Sequence, residues 1–356
     1  MALFSYSDIE IIGMSACVPK KSISNRSFSD FFSKEEALKV IKMTGIESRR
    51  FAEAGVAASD LAFVAAHSLL ADMNIDPESI DGVVFCSVTP DYRMPATSFV
   101  LQDRLGVKKN AICFDVNMGC GGFVFSLNLV YSMLASQQLN RVLLLNAHVI
   151  TNNMSHKDKA TSLLFGDGAT ATLVTRNEAI DVKKHTYFTS MTDGSGYEFI
   201  IRPGGGYRNP SSVDTLTSQL RDDGSYRTDE DLSMDGPAIF DFTITKVPLD
   251  IQEILKFSDT SINDVDYFVF HQANLFIIKH IAKKLKIPIE RVPISLKQFG
   301  NLSSASLPLT IVSELKDKLR DQRSKLLLCG FGVGLAWGSV ILELDNPYIG
   351  NITEVY

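Results

Sequence analysis

The sequence is short of charge and shorter still of charge imbalance. Lys and Arg number 35 against 41 Asp and Glu, a net charge of −6 over 356 residues, and the two signs are mixed along the chain without long single-sign blocks. A general nucleic-acid binder carries a basic excess to meet phosphate, so no nucleic-acid partner is expected. Cysteine is scarce too. Cys17, Cys86, Cys113, Cys120 and Cys329 are odd in number, far apart and without CxxC or Cys/His spacing, a pattern of reduced thiols rather than of a disulfide framework or a structural metal site. No metal or redox cofactor is indicated. No apolar run reaches the ~20 residues of a bilayer span; the longest, near residues 121–135, is broken by Ser126, Asn128 and Ser132. The opening stretch MALFSYSDIEIIGMS has early acidic residues and no basic segment leading into an apolar run, so a secretory signal is not expected. These absences predict a cytoplasmic chain with no membrane partner.

What the sequence has is apolar residues in short runs. At 45% hydrophobic and 21% charged, it has the composition of a compact α/β protein, and its length calls for two packed units or one large layered domain. Aliphatic runs at 82–88, 141–149, 162–174, 266–273, 325–334 and 338–344 read as strands. Because they are continuous rather than alternating, both faces of their sheets are expected to be covered. Helical patterns fit 58–73, 96–106, 274–287 and 304–319. The order of elements in the first half recurs in the second, implying a duplicated βαβαββ unit, with halves 1–178 and 179–356 and a site where they meet. The Gly/Pro/Ser-rich segment 202–233 reads as a long surface loop or lid.

Three local signals carry chemistry. Cys120, in CFDVNMGCGGF, lies between a strand and an apolar helix and is followed by two glycines. It fits a small buried filler, and it equally fits a nucleophile whose thiolate is favoured at a helix N-terminus. His271, in FHQAN, ends an apolar strand, where α/β proteins place functional groups. Asn301, in FGNLSSAS, ends the equivalent strand segment of the second half and by itself fits a turn or cap.

Taken together, DVNMGCGGF, HQAN, FGNLSSAS, FGDGA and GFGVGLAWGSVIL make the chain resemble β-ketoacyl-acyl carrier protein synthase III of the thiolase-like superfamily over nearly its whole length. The resemblance implies a five-layer αβαβα fold, a homodimer, and a triad of Cys120, His271 and Asn301. It implies that Cys120 carries an acyl group as thioester, while His271 and Asn301 donate hydrogen bonds to the enolate that malonyl-acyl carrier protein forms on losing CO2. The backbone N–H groups of Cys120 and Val333 are placed in an oxyanion hole, and Phe165 and Asn274 in the substrate pocket. Met94 stands where the family sends an apolar residue from one subunit into the acyl pocket of the other. Lys283 and Lys284 match a basic patch that docks acyl carrier protein, although Phe276 stands where that patch is often basic.

The family's adenine-clamping Trp and Arg are replaced by Lys39 and Met43, which leaves the donor open between acyl-coenzyme A and acyl-carrier protein. Lys159, and Arg49 or Arg50, are the charges that remain to meet coenzyme A. The pathway implied is fatty acid initiation or a related biosynthesis. Three alternatives stand beside this reading. A thiolase would recruit Cys329 as second cysteine, but thiolases carry His where this chain has Asn301, and Asn cannot act as a base. A related acyltransferase would pass the acyl group to oxygen or nitrogen without decarboxylation. A non-catalytic partner subunit would keep the fold and lose the nucleophile, which is present here.

Overall fold

The computed structural model describes residues 1–27, 31–177 and 184–356. Two mixed sheets alternate with three layers of helix, the expected five-layer αβαβα arrangement. The first sheet runs Tyr348–Val355, Ile9–Pro19, Gly168–Arg176, Arg141–His148, Gly82–Cys86, Ile112–Val116. Its last three strands are parallel, and all of Gly82–Cys86 is buried. The second runs Ala2–Ser7, His185–Thr192, Ala336–Asp345, Arg323–Gly332, Tyr267–Phe270, the last two parallel.

Helix Gly122–Ala135 lies between the sheets beside Ser306–Thr310, which continues through a wider turn, Ile311–Leu315. Phe123, Val124, Leu127, Val130, Tyr131 and Leu134 are all buried. A helix apolar on every side is stable only where every side is covered. Ala58–Asp72 covers the outer face of the first sheet, and Gly236–Phe257 with Leu275–Lys284 covers that of the second. Gly236–Phe257 has no counterpart among the helices expected above. It starts on an Asp235 cap with Pro237 in its first turn and carries Pro248 inside. Among the described residues no helix is long and apolar enough to cross a membrane.

The duplicated order is visible with two departures. The segment before Asn301, expected as a strand, is instead the short helix Leu296–Phe299, and Asn301 makes only an isolated bridge to Phe165. Pro293 has no N–H to give a ladder. The terminal strands are also exchanged: Ala2–Ser7 joins the second sheet and Tyr348–Val355 the first. The proposed boundary at 178/179 lies outside the described residues. Residues 162–167, expected as strand, form the turn that precedes Gly168–Arg176.

The segment 202–233 is a strap rather than a bare loop. It carries a helical turn, Val213–Leu216, and a short pair, Gln219–Leu220 with Tyr226–Arg227. Arg227 donates to the fully buried Asp158 carboxylate at 2.8 Å, and Leu232 N–H to the Asn153 carbonyl at 2.8 Å.

Leu127→Ala, which opens a cavity in the layer that both sheets share, is expected to cost about 2–5 kcal/mol. The check is a lower urea midpoint at unchanged m-value.

Candidate active site

Cys120 sits one residue before the N-cap of helix Gly122–Ala135 and is only 4% exposed. Two glycines let the protein close around it. A Cβ at Gly122 would lie 2.6 Å from the Cys86 sulfur. Gly332, at φ +150°, crosses so near Cys120 that a Cβ there would lie 2.7 Å from its Cβ and 3.1 Å from its sulfur. Burial pushes the Cys120 thiol up, against hydrogen bonds from the Ser303 hydroxyl and from the backbone N–H groups of Val333 and Cys120 itself. Those two amides are the ones assigned from sequence to the oxyanion hole.

His271 leaves the end of strand Tyr267–Phe270. Its N–H is bonded to the Cys329 carbonyl at 2.8 Å, and its ring stands edge-on to Phe331 at 5.4 Å. Burial pulls its pKa down to about 3, so the ring is neutral and keeps a single N–H to donate.

Asn301 is fixed by its backbone, donating to the Leu164 carbonyl at 2.9 Å and accepting from Gly166 N–H at 3.1 Å. Its Oδ1 accepts from Ser303 N–H at 2.8 Å. A backbone donor demands oxygen there, which assigns the carboxamide and leaves the NH2 as the free end.

The three side chains line one cavity of about 830 Å³, with Phe331 and Gly332 beside them and Met43, Lys159, Arg227 and Phe276 among its other lining residues. Phe165 and Asn274 are also on its wall, though Asn274 Oδ1 is committed to capping helix Leu275–Lys284 through Ile277 N–H at 2.8 Å. Met94 does not line this chain's cavity and is 82% exposed. Lys283 and Lys284 are exposed in the last turn of Leu275–Lys284, where cations favour the helix dipole. Lys284 Nζ also donates to the Ile244 carbonyl at 2.9 Å.

Arg49 and Arg50 differ from their expected part as charges for coenzyme A. Arg49 is fully buried, donating to Asn25 Oδ1 at 2.6 Å and to the Phe165 carbonyl at 2.9 Å. Arg50 reaches Glu354 at 2.7 Å and the Pro19 carbonyl at 3.1 Å. The loop geometry spends both cations on the scaffold. Asp167, in the FGDG turn, is likewise scaffold, accepting from Ala52 N–H at 2.8 Å and from Thr151 N–H at 3.0 Å. Cys329 is a buried strand residue whose thiol burial pushes well up.

Sequence reading passed over Ser303 and a polar cluster around Ser304. His148 Nε2 lies 2.6 Å from Ser304 Oγ, which also accepts from Asn146 at 3.1 Å. Their only sequence signals were two polar residues inside the apolar run LLLNAHV and the serine pair of NLSSAS.

Burial, and for His148 the neighbouring His271 as well, holds both rings neutral with pKa values near 3. Between the unfolded value of about 6.5 and that level, the unfolded chain binds protons the folded chain refuses, so stability falls as pH drops through that window. Asp167, pushed up to about 6 by burial, acts in the opposite sense, so the test compares two chains. His148→Gln is expected to lose less of its urea midpoint between pH 7 and pH 5 than the parent. An equal or larger loss would show that the His148 ring is already protonated in the fold.

Family models for 3-oxoacyl-[acyl-carrier-protein] synthase III match residues 114–194, and those for its C-terminal part residues 255–344. The chain is 32% identical over 335 residues to β-ketoacyl-[acyl-carrier-protein] synthase III of Clostridium acetobutylicum, covering 94% of this chain and 98% of that one. The Lactococcus lactis subsp. lactis protein of the same name is 33% identical over 92% of this chain and 96% of its own length. The crystal structure of a 3-oxoacyl-(acyl-carrier protein) synthase from Burkholderia xenovorans LB400 superposes with a TM-score of 0.93 at 36% identity over 99% of both chains. With a cysteine, a neutral histidine and an oriented asparagine gathered in the cavity of that fold, the chain belongs to the β-ketoacyl-acyl carrier protein synthase III family.

Proposed function

We propose that this enzyme condenses an acyl group, carried on Cys120, with malonyl-acyl carrier protein to give 3-oxoacyl-acyl carrier protein and CO2. The observation that carries the reading is the single cavity in which a buried thiol faces two neutral hydrogen-bond donors. Cys120 Sγ attacks the donor thioester and the donor's thiol leaves. The malonyl thioester then loses CO2, and its α-carbon attacks the acyl carbonyl and frees the Cys120 sulfur.

The charge that develops on the malonyl thioester oxygen is met by N–H donors on His271 and Asn301, and the charge on the acyl oxygen by the amides of Cys120 and Val333. Neutrality suits His271 to this task, because a donor that never gains or loses its proton needs no external base. One such donor is worth about 10²–10³ in rate.

The enzyme is placed in fatty acid initiation or a related biosynthesis in the cytoplasm, and acts as a homodimer. Met94 supports that assembly, since an apolar side chain left in solvent by one chain has a use in a second copy's pocket. Phe165 and Asn274 form the pocket wall, and Lys283 and Lys284 are the cations offered to the acidic carrier protein. The donor is an acyl-coenzyme A or an acyl-carrier protein.

Intact-mass measurement after incubation with a panel of both donor kinds identifies the donor and chain length. Cys120→Ala is expected to gain no acyl mass from any donor. His271→Ala and Asn301→Ala are expected to gain it yet release CO2 from malonyl-acyl carrier protein about 10²–10³-fold more slowly. A His271→Ala chain that condenses at the parent rate would sink these roles.

A further inference from the structure

Ser303 touches two of the three residues assigned above, and no role has yet been given to its side chain. It is buried and holds φ at +54°, a left-handed conformation uncommon for a residue with a Cβ. Such a conformation costs on the order of 1 kcal/mol or more and persists only where its surroundings fix it. Here it turns the Ser303 N–H onto Asn301 Oδ1 at 2.8 Å and the hydroxyl toward Cys120 Sγ at 3.9 Å. Space on that side is tight: a Cβ on Gly119 would lie 3.4 Å from Ser303 Oγ and 3.0 Å from a Val333 methyl.

Among the described residues no cation stands beside the sulfur to carry its charge, since His271 is neutral and Arg49 is spent on Asn25 and the Phe165 carbonyl. Negative charge on Cys120 must then rest on the N-terminus of helix Gly122–Ala135 and on hydrogen-bond donors, of which the Ser303 hydroxyl is the side chain within reach. The amides of Cys120 and Val333 are assigned above to the acyl oxygen.

We propose that Ser303 is a catalytic hydrogen-bond donor that stabilises the Cys120 thiolate as the acyl donor is attacked and again as the condensed product leaves. The proposal rests on the nucleophile's role assigned to Cys120. In the first step the thiol gives up its proton, sulfur bonds to the acyl carbon, the donor's carbon–sulfur bond breaks and the departing thiolate takes that proton up. Ser303 keeps its own proton throughout. A separation of 3.9 Å suits a neutral sulfur, a weak acceptor, and a charged one draws the donor closer.

The test is the rate at which iodoacetamide alkylates Cys120 as a function of pH, followed by peptide mass, in Ser303→Ala and Ser303→Gly. Glycine adopts the left-handed conformation without strain and so separates loss of the hydroxyl from loss of the turn. The midpoint of the profile is expected to rise by about one pH unit in both variants. Alkylation at pH 7 would then be about tenfold slower, and the rates would converge with the parent at high pH, where the sulfur is ionised in every chain. Condensation at pH 7 is expected to fall by a similar factor. A Ser303→Gly profile that superimposes on the parent's, or one slowed equally at every pH, overturns the proposal. The alkylation readout needs no acyl donor, so its failure is distinct from failure of the assigned reaction.

Discussion

Two loops from opposite halves of the chain cross at backbone contact, and the site depends on that crossing. Leu164 to Gly166 meets Phe299 to Asn301, with Asn301 N–H on the Leu164 carbonyl and Gly166 N–H on the Asn301 carbonyl. No side chain fits between them: a Cβ on Gly166 would lie 2.4 Å from the Phe299 carbonyl, and one on Gly300, at φ +70°, 2.6 Å from that of Leu164. Arg49 pins the crossing from below through the Phe165 carbonyl, and Asp167 ties the same turn to Ala52 and Thr151. Burial draws Arg49 only to about 9 and raises Asp167 to about 6, so at neutral pH the cation is intact and the carboxylate largely so. Each of these buried polar groups costs about 1–3 kcal/mol if it loses its partner. The crossing therefore has one arrangement, and Asn301, Phe165 and Ser303 inherit their positions from it.

The chamber built on this crossing holds Cys120 and His271, both buried. At Cys120, desolvation and hydrogen bonding pull in opposite directions and desolvation wins, so the resting group is a thiol. His271 is subject to the same burial and responds with the opposite sign, becoming harder to protonate. Cys120 and His271 are thus a pair of neutral groups rather than an ion pair. A resting thiol is slow to oxidise. Charge appears only as substrate arrives, on an atom already facing fixed donors, where a low dielectric makes each donor stronger.

The trio proposed as catalytic was legible because each member sits in a short motif whose order along the chain is distinctive, and the strands because sheets covered on both faces leave continuous apolar runs. The parts that were not legible are of other kinds. Ala2–Ser7 pairs with His185–Thr192, a partner far along the chain that no local pattern announces. Gly236–Phe257 opens Gly-Pro and contains Pro248, which read locally as breaks, yet packing against the second sheet holds it as one helix. Arg49 was expected among the charges left to meet coenzyme A, and its partners at Asn25 and Phe165 become visible only once the crossing is formed. The strand expected before Asn301 failed at Pro293, where a ladder lacks its donor.

Much of the chamber's lining comes from residues outside the trio. The strap at 202–233 brings Asp223 and Arg227 to the cavity, facing Val40 and Met43 of helix Lys34–Thr44 and Phe276 of helix Leu275–Lys284. Phe240 stacks on Phe276 at 5.5 Å and gives this lining an aromatic face. The charges beside it nearly cancel: Lys159 and Arg227 share the lining with Glu198, Asp223 and Asp235, and Arg227 is already engaged by Asp158 and Asp223. A polyanionic headgroup gains little from such a balance, since attraction to one sign is offset by repulsion from the other within a few ångströms. Apolar contact carries no such offset. Under the proposed reaction, discrimination between donors falls to the shape and apolar area of this lining, with the strap and the Phe240 and Phe276 pair as the surfaces that set it.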